Sequence, residues 1–210
     1  MFVTPNQNVR GFVLAGGASR RFGRDKALVE FDGEPLIARL CRILQAATAD
    51  VRIVGDAGKY RHIAVECSAD RWPGEGPLGG IITALEANNA SSDQASWNLI
   101  IGCDMPFLTG EWLRHLASRT ATSKAEVVVP ESNYGLEPLC ACWRASIEPV
   151  LTRVFEGGVR RITDAMKNIS VEILDAADWK RFDSSDRLFW NMNTPADLEE
   201  AIRMLKAERL

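Results

Sequence analysis

A chain of 210 residues, 46% hydrophobic and 25% charged, can bury a sizeable core and fits one large domain better than two small ones. Its formal net charge of −3 argues against a nucleic-acid binder that works through bulk positive charge, though not against a small anion held by a local basic loop. Five cysteines without a C-x-x-C pair (Cys41, Cys67, Cys103, Cys140 and Cys142) read as reduced, mostly buried thiols of a cytoplasmic protein. Met1–Asn6 has neither the charged nor the apolar region of a signal peptide, and no apolar run is long enough to span a bilayer. No membrane or nucleic-acid partner is expected.

After a flexible lead of about nine residues, a short apolar strand, Phe12–Ala15, breaks at once into Gly16 and Gly17. Arg20, Arg21, Gly23, Arg24 and Lys26 come next. Residues 27–31 read as an extended piece closing on the turn Asp32-Gly33. Pro35 suits a first helical position, and Leu36, Ile37, Leu40, Ile43 and Leu44 recur at helical spacing. Val51–Gly55 is the next strand, and residues 62–67 are expected to form another. A Gly/Pro-rich loop, Asp70 to Gly76, leads into a helix from about Leu78 to Asn89.

Trp97–Cys103 is a nearly continuous apolar run, the mark of a strand buried on both faces, and it ends at Asp104. Thr109 is a plausible N-cap for the next helix. Val127–Val129 reads as a strand stopped by Pro130, and residues 139–143 as another. Two helices are expected around residues 147–155 and 161–167, separated by Gly157-Gly158. Val171–Leu174 alternates like a strand. Near the end, Phe189 to Asn193 leads into Thr194-Pro195-Ala196-Asp197, an N-cap with proline at the first helical position and an acid in the first turn. Strands alternating with helices imply one α/β domain with a largely parallel sheet covered on both faces.

In such sheets ligands sit outside the carboxyl ends of the strands. Gly16 and Gly17, Asp70, Asp104, Asn191 and Asn193 all follow or end expected strands. Successive main-chain amides of a glycine-rich loop form a nest of partial positive charge, and Arg21 and Lys26 add full charges that suit phosphate. The loop matches neither G-x-G-x-x-G nor the P-loop. It does read as a polyphosphate cradle. Asp104, a carboxylate at the tip of an apolar strand facing such a cradle, is a natural Mg²⁺ ligand.

The run L-A-G-G-x-S-x-R-x-G-x-x-K resembles the signature of nucleotidyltransferases. Further motifs occur in order: Asp70…Gly76-Pro77-Leu78-x-Gly80, Cys103-Asp104-Met105-Pro106-Phe107-Leu108, Glu137-Pro138-Leu139, Gly157–Arg161 and Asn191-x-Asn193-Thr194-Pro195-x-Asp197-Leu198. Together they resemble the molybdenum cofactor guanylyltransferase family over nearly the whole chain. The resemblance implies a Rossmann-like, three-layer nucleotidyltransferase domain spanning residues 1–210. It implies Mg²⁺-dependent transfer of GMP from GTP to the phosphate of molybdopterin, with proteins that deliver or receive the cofactor as partners.

By the same resemblance Leu14, Ala15, Gly16 and Gly17 would hold the nucleotide, with Gly76, Pro77 and Leu78 from the second loop. Asp70 would help recognise the nucleoside. Lys26, Arg21 and Asp104 would serve catalysis, and Asn193 would assist Asp104 at the metal. Arg160, Arg161, Asn191 and Asn193 are the candidates for the pterin side. Two positions differ from the pattern: Glu137 stands where many guanylyl members have His before Pro, and Gly55 where some have a nucleotide-contacting Asn. Alternative readings are a cytidylyl- or guanylyltransferase acting on another phosphorylated metabolite, and a nucleotide-binding homologue without catalysis.

Overall fold

The computed structural model describes residues 5–16, 22–23, 25–183 and 185–207. Strand β1 (Val9–Ala15) is buried along its whole length. Just before it, within the lead expected to be loose, Asn6 is held: its N–H donates to the Ala47 carbonyl at 3.2 Å and its Nδ2 to the Ala117 carbonyl at 3.1 Å. The Asp25 carboxylate accepts from the Ala27 N–H at 3.1 Å and winds Lys26–Leu28 into a 3₁₀ turn. Only β2 (Glu30–Phe31) of the expected extended piece remains, paired with β3 (Glu34–Pro35). Pro35 has ψ 135 and ends that strand, so helix α1 (Leu36–Gln45) opens one residue later than the sequence suggests.

Strand β4 (Val51–Gly55) leads into the short helix α2 (Ala57–Tyr60), which the Asp56 side chain caps. The strand expected over residues 62–67 shrinks to β5 (Glu66–Ser68). Local turns take the donors before it, since Ile63 N–H bonds the Tyr60 carbonyl at 2.8 Å and Val65 N–H that of Ile63 at 2.7 Å. Helix α3 (Pro77–Asn89), strand β6 (Trp97–Gly102) and helix α4 (Gly110–Arg119) come next, the last capped by Thr109 as expected.

Strand β7 runs from Val127 through Pro130 to Ser132 rather than stopping at the proline. Proline lacks a donor, and at that point the carbonyl of Pro130 carries the link, accepting from Glu137 N–H at 2.9 Å. The remaining elements are β8 (Gly135–Leu136), β9 (Cys140–Arg144), α5 (Glu148–Glu156), α6 (Ile162–Ala165), β10 (Val171–Leu174), α7 (Ala176–Trp179) and α8 (Pro195–Ala207). The segment 189–193, expected to end a last strand, is irregular, and Met192 N–H bonds the Asp104 carbonyl at 2.8 Å.

The main sheet runs in the order β10-β7-β9-β6-β1-β4-β5, with β8 on the side of β7. β9 is antiparallel to both neighbours, whereas the pairs β10–β7, β6–β1, β1–β4 and β4–β5 are parallel. This is the α/β, mostly parallel architecture expected. Period-two alternation divides each strand between two cores. Val9 and Val13 join α1, α4, α7 and α8 on one face; Phe12 and Leu14 join α3, α5 and α6 on the other. Cys140 and Cys142 share the first face, with Ala141 and Trp143 on the second. All five cysteines are free thiols, Cys41, Cys140 and Cys142 buried and Cys67 and Cys103 partly so. Among the described residues no helix is long and apolar enough to cross a membrane.

Thr109 Oγ1 accepts from the Trp112 N–H at 3.2 Å and so starts the helix that buries Trp112, Leu113 and Leu116. Thr109→Ala is expected to destabilise the fold by about 1 kcal/mol. Urea unfolding with an unchanged midpoint would show that this cap contributes nothing.

Candidate active site

Parallel pairing sets the ends of three strands side by side. Ala15 lies opposite Gly55, Leu14 lies opposite Gly102, and Cys103 N–H bonds the Leu14 carbonyl at 3.3 Å. The chain therefore leaves the sheet at Gly16 and at Asp104 on one rim. A cleft of about 660 Å³ opens there. Leu14, Ala15 and Gly16 form one wall, Asp70, Gly76 and Pro77 a second, and Lys26, Asp104 and Asn193 the third.

Lys26 rides on the 3₁₀ turn capped by Asp25, and its Nζ stands 3.7 Å from Asp104 Oδ2. Both side chains are mostly buried, 17% and 24% exposed, so their charges are less screened than a surface pair. The other oxygen, Asp104 Oδ1, is buried with no hydrogen-bond partner. A carboxylate oxygen left without a donor is suited to a cation. The oxygen also folds back over Gly102: a Cβ at that position would lie 2.6 Å from it. Glycine at the end of β6 thus makes room for this carboxylate orientation.

Asp70 is fixed by its own loop, its Oδ1 accepting from Trp72 N–H at 3.0 Å and the Thr83 hydroxyl at 3.4 Å. Its Oδ2 faces Gly16, 3.5 Å from where a Cβ would stand. Asn193 is held through its backbone, because Asp197 Oδ2 accepts from the N–H groups of Asn193 at 2.7 Å and Thr194 at 2.8 Å. Those two amides, and then the Thr194 hydroxyl and the Lys26 charge, keep the Asp197 carboxyl below its ordinary range.

Several expected residues lie elsewhere. Leu78 is fully buried in the core beneath the rim, because it occupies the inward face of α3. Asn191 turns its amide onto the Phe189 carbonyl at 3.2 Å and does not line the cleft. Arg160 is occupied structurally. Its Nε donates to Glu75 at 2.9 Å, its Nη1 donates to the Phe155 carbonyl at 2.6 Å, and its guanidinium lies 4.0 Å from the centre of the Phe155 ring. Arg161 is an exposed N-cap of α6 away from the cleft. Gly17 and Arg21 lie outside the described residues.

Phe22 and Asp25, which no motif assigns to the site, also line the cleft, as does Leu139 of the Glu137-Pro138-Leu139 motif, and a second recess of about 870 Å³ lies beside it. The recess shares Ala15, Gly16, Asp25, Asp70 and Gly74 with the first and extends to Gly55, Asp56 and Lys59. The Asp25-Lys26 pairing was the available signal, an acid beside the one lysine of the cradle. Among the described residues no three His, Cys, Asp or Glu side chains converge on a point as metal ligands.

The profile of the family described as "MobA-like NTP transferase domain" matches residues 11–169. A "Probable molybdenum cofactor guanylyltransferase" of Carboxydothermus hydrogenoformans is 30% identical over 198 residues, which are 94% of this chain and 97% of that protein. One of the same description from Chloroflexus aggregans is 34% identical over 194 residues, 90% and 91% of the two chains. Among solved structures, molybdopterin-guanine dinucleotide biosynthesis protein A of Archaeoglobus fulgidus superposes with a TM-score of 0.79 at 26% identity, covering 94% of this chain and 99% of its own.

Glu137 is 7% exposed and accepts from the Ser132 hydroxyl at 2.6 Å. Burial raises its carboxyl above the ordinary 4.5, the Ser132 bond opposes the rise, and the Asp104 charge adds to it. Between 4.5 and the raised folded value the folded chain holds more protons than the unfolded one, so this group's contribution to stability is lost as pH rises through that window. Glu137→Gln should therefore be more stable than the parent at neutral pH, with the difference shrinking as pH falls through that window toward 4.5. Urea unfolding of both chains across that range checks it; a difference that does not vary with pH would contradict the sign.

Proposed function

The chain belongs to the MobA-like NTP transferase family and is a nucleotidyltransferase, and from that premise we propose that it transfers GMP from GTP to the phosphate of molybdopterin, giving molybdopterin guanine dinucleotide and pyrophosphate. The observation that carries the reading is the pairing of Lys26 with Asp104 at 3.7 Å in a cleft also lined by Leu14, Ala15 and Gly16. The wall at Gly16 offers main-chain amides to phosphate oxygens. The wall of Lys26 and Asp104 offers an ammonium group and, beside it, a carboxylate with one oxygen unsatisfied.

The residues present fit Mg²⁺. Asp104 would hold the ion with help from Asn193, and such an ion usually takes one or two carboxylates, phosphate oxygens and several waters. When bound, it would neutralise triphosphate charge. The amides from Leu14 to Gly17 and the Lys26 ammonium would fix the β- and γ-phosphates, leaving the α-phosphorus open to in-line attack. An oxygen of the acceptor phosphate forms the new bond to the α-phosphorus as the bond to the pyrophosphate oxygen breaks. The attacking phosphate is already ionised near neutral pH, so no general base is required. Lys26 would stabilise the charge that gathers on pyrophosphate, and positioning with charge neutralisation accounts for the rest. Asp70, pointing toward Gly16 beside the second recess, would direct the nucleoside into that recess.

Lys26→Ala and Asp104→Ala should each lower turnover by about 10²–10³, the usual loss when one transition-state charge contact is removed, with circular dichroism unchanged. Either variant retaining near-parental pyrophosphate release would contradict its role. In thermal-shift titrations with Mg²⁺, GTP should raise the melting temperature more than CTP, ATP or UTP at equal concentration. A larger shift with CTP would end the guanylyl assignment while leaving nucleotidyl transfer intact.

A further inference from the structure

Tyr60 and Asp25 play no part in the chemistry above, yet they join the two ends of the phosphate loop. Tyr60 closes α2 and is 1% exposed. Its hydroxyl is 2.9 Å from the carbonyl of Ala15, the last residue of β1, and 3.1 and 3.3 Å from the two oxygens of Asp25. Ala15 is the entrance to the loop. Asp25 is its exit, one residue before Lys26.

Asp25 is itself a junction. One of its oxygens caps the 3₁₀ turn through Ala27 N–H, and the other lies 3.3 Å from Lys59 Nζ. The Tyr60 proton serves one acceptor at a time, while the Lys59 ammonium balances the carboxylate charge. Burial, and next the Asp25 charge, raises the hydroxyl far above its ordinary range, so it stays a donor. The ring also explains Gly55: a Cβ there would stand 2.9 Å from Tyr60 Cε2 and 3.0 Å from the Ala15 carbonyl. Tyr60 occupies the space that a side chain at position 55 would need.

We infer that Tyr60 and Asp25 are positioning residues that latch the entrance and exit of the phosphate loop together and so hold Lys26 beside Asp104. The inference rests on the nucleotidyl-transfer reading. A glycine-rich segment loses much conformational entropy when it wraps an anion. Fixing both of its ends beforehand removes part of that loss from binding. Tyr60 lines neither the cleft nor the recess, so its hydroxyl acts on triphosphate affinity whatever the base.

Calorimetric titration of the full chain with GTP and with CTP, in Mg²⁺, tests this on the parent, Tyr60→Phe, Asp25→Ala and the double variant. Phenylalanine keeps the ring that fills the space beside Gly55, so Tyr60→Phe should melt close to the parent. Tyr60→Phe is expected to weaken both nucleotides by the same factor, about five- to tenfold, the worth of one hydrogen bond, and Asp25→Ala, which also loses the Ala27 cap and the Lys59 ion pair, by more. The double variant should lose less than the product of the two, as coupled partners do. Affinities within twofold of the parent in Tyr60→Phe, a loss confined to one nucleotide, or losses that multiply would each overturn the latch. The parent's own preference reports separately on the function: tighter CTP binding overturns the guanylyl assignment and leaves the comparison among variants intact.

Discussion

The parallel register of β1 between β4 and β6 sets the geometry of the whole rim. Because Leu14 pairs with Gly102 and Ala15 with Gly55, three strands run out of the sheet at the same level. Their continuations are then forced into one small volume: Gly16 after β1, a short capped helix after β4, and an aspartate after β6. A slip in this pairing would separate the Gly16 amide from the Asp104 carboxylate. The two hydrophobic cores hold the register, since every residue of β1 and of β6 is buried and a one-residue shift would turn each side chain to the wrong face.

The electrostatics of the cleft are local. A chain of net charge −3 still brings an ammonium group to the cleft, since Lys26 is carried on a turn whose cap, Asp25, is itself engaged by Tyr60 and Lys59. Asp104 sits beside it with one oxygen paired and one not. Its main chain is tied to the C-terminal part of the molecule through Met192, and Asn193 is the next residue along. The final helix thereby fixes the third wall: Asp197, in its first turn, binds the Asn193 and Thr194 amides. Most of the cleft is lined by the N-terminal half of the chain, up to Asp104, and Leu139 and Asn193 complete it.

Much of this was legible in the sequence because it is local. A glycine breaking off an apolar strand at Gly16, an aspartate ending a doubly buried strand, and Thr194-Pro195-Ala196-Asp197 as a helix entry each announce their geometry within a few residues. Failures came where a distant partner decided the outcome. Arg160, beside Arg161 after two glycines, suggested a phosphate ligand, but Glu75, 85 positions away, and the Phe155 ring engage it. Leu78 shares a loop motif with Gly76 and Pro77, yet helical periodicity buries it. Pro130 reads as a strand stop until the Glu137 amide is found bonding its carbonyl. Tyr60 belongs to no motif, and its link to Asp25 spans 35 positions.

The account stands or falls on where the triphosphate and the metal bind. A crystal structure of the full chain with Mg²⁺ and a non-hydrolysable GTP analogue addresses that directly. The account predicts phosphates between Gly16 and Lys26, with the ion about 2.0–2.1 Å from Asp104 Oδ1. A nucleotide bound elsewhere on the molecule, or an ion that leaves Asp104 without a metal contact, would contradict it.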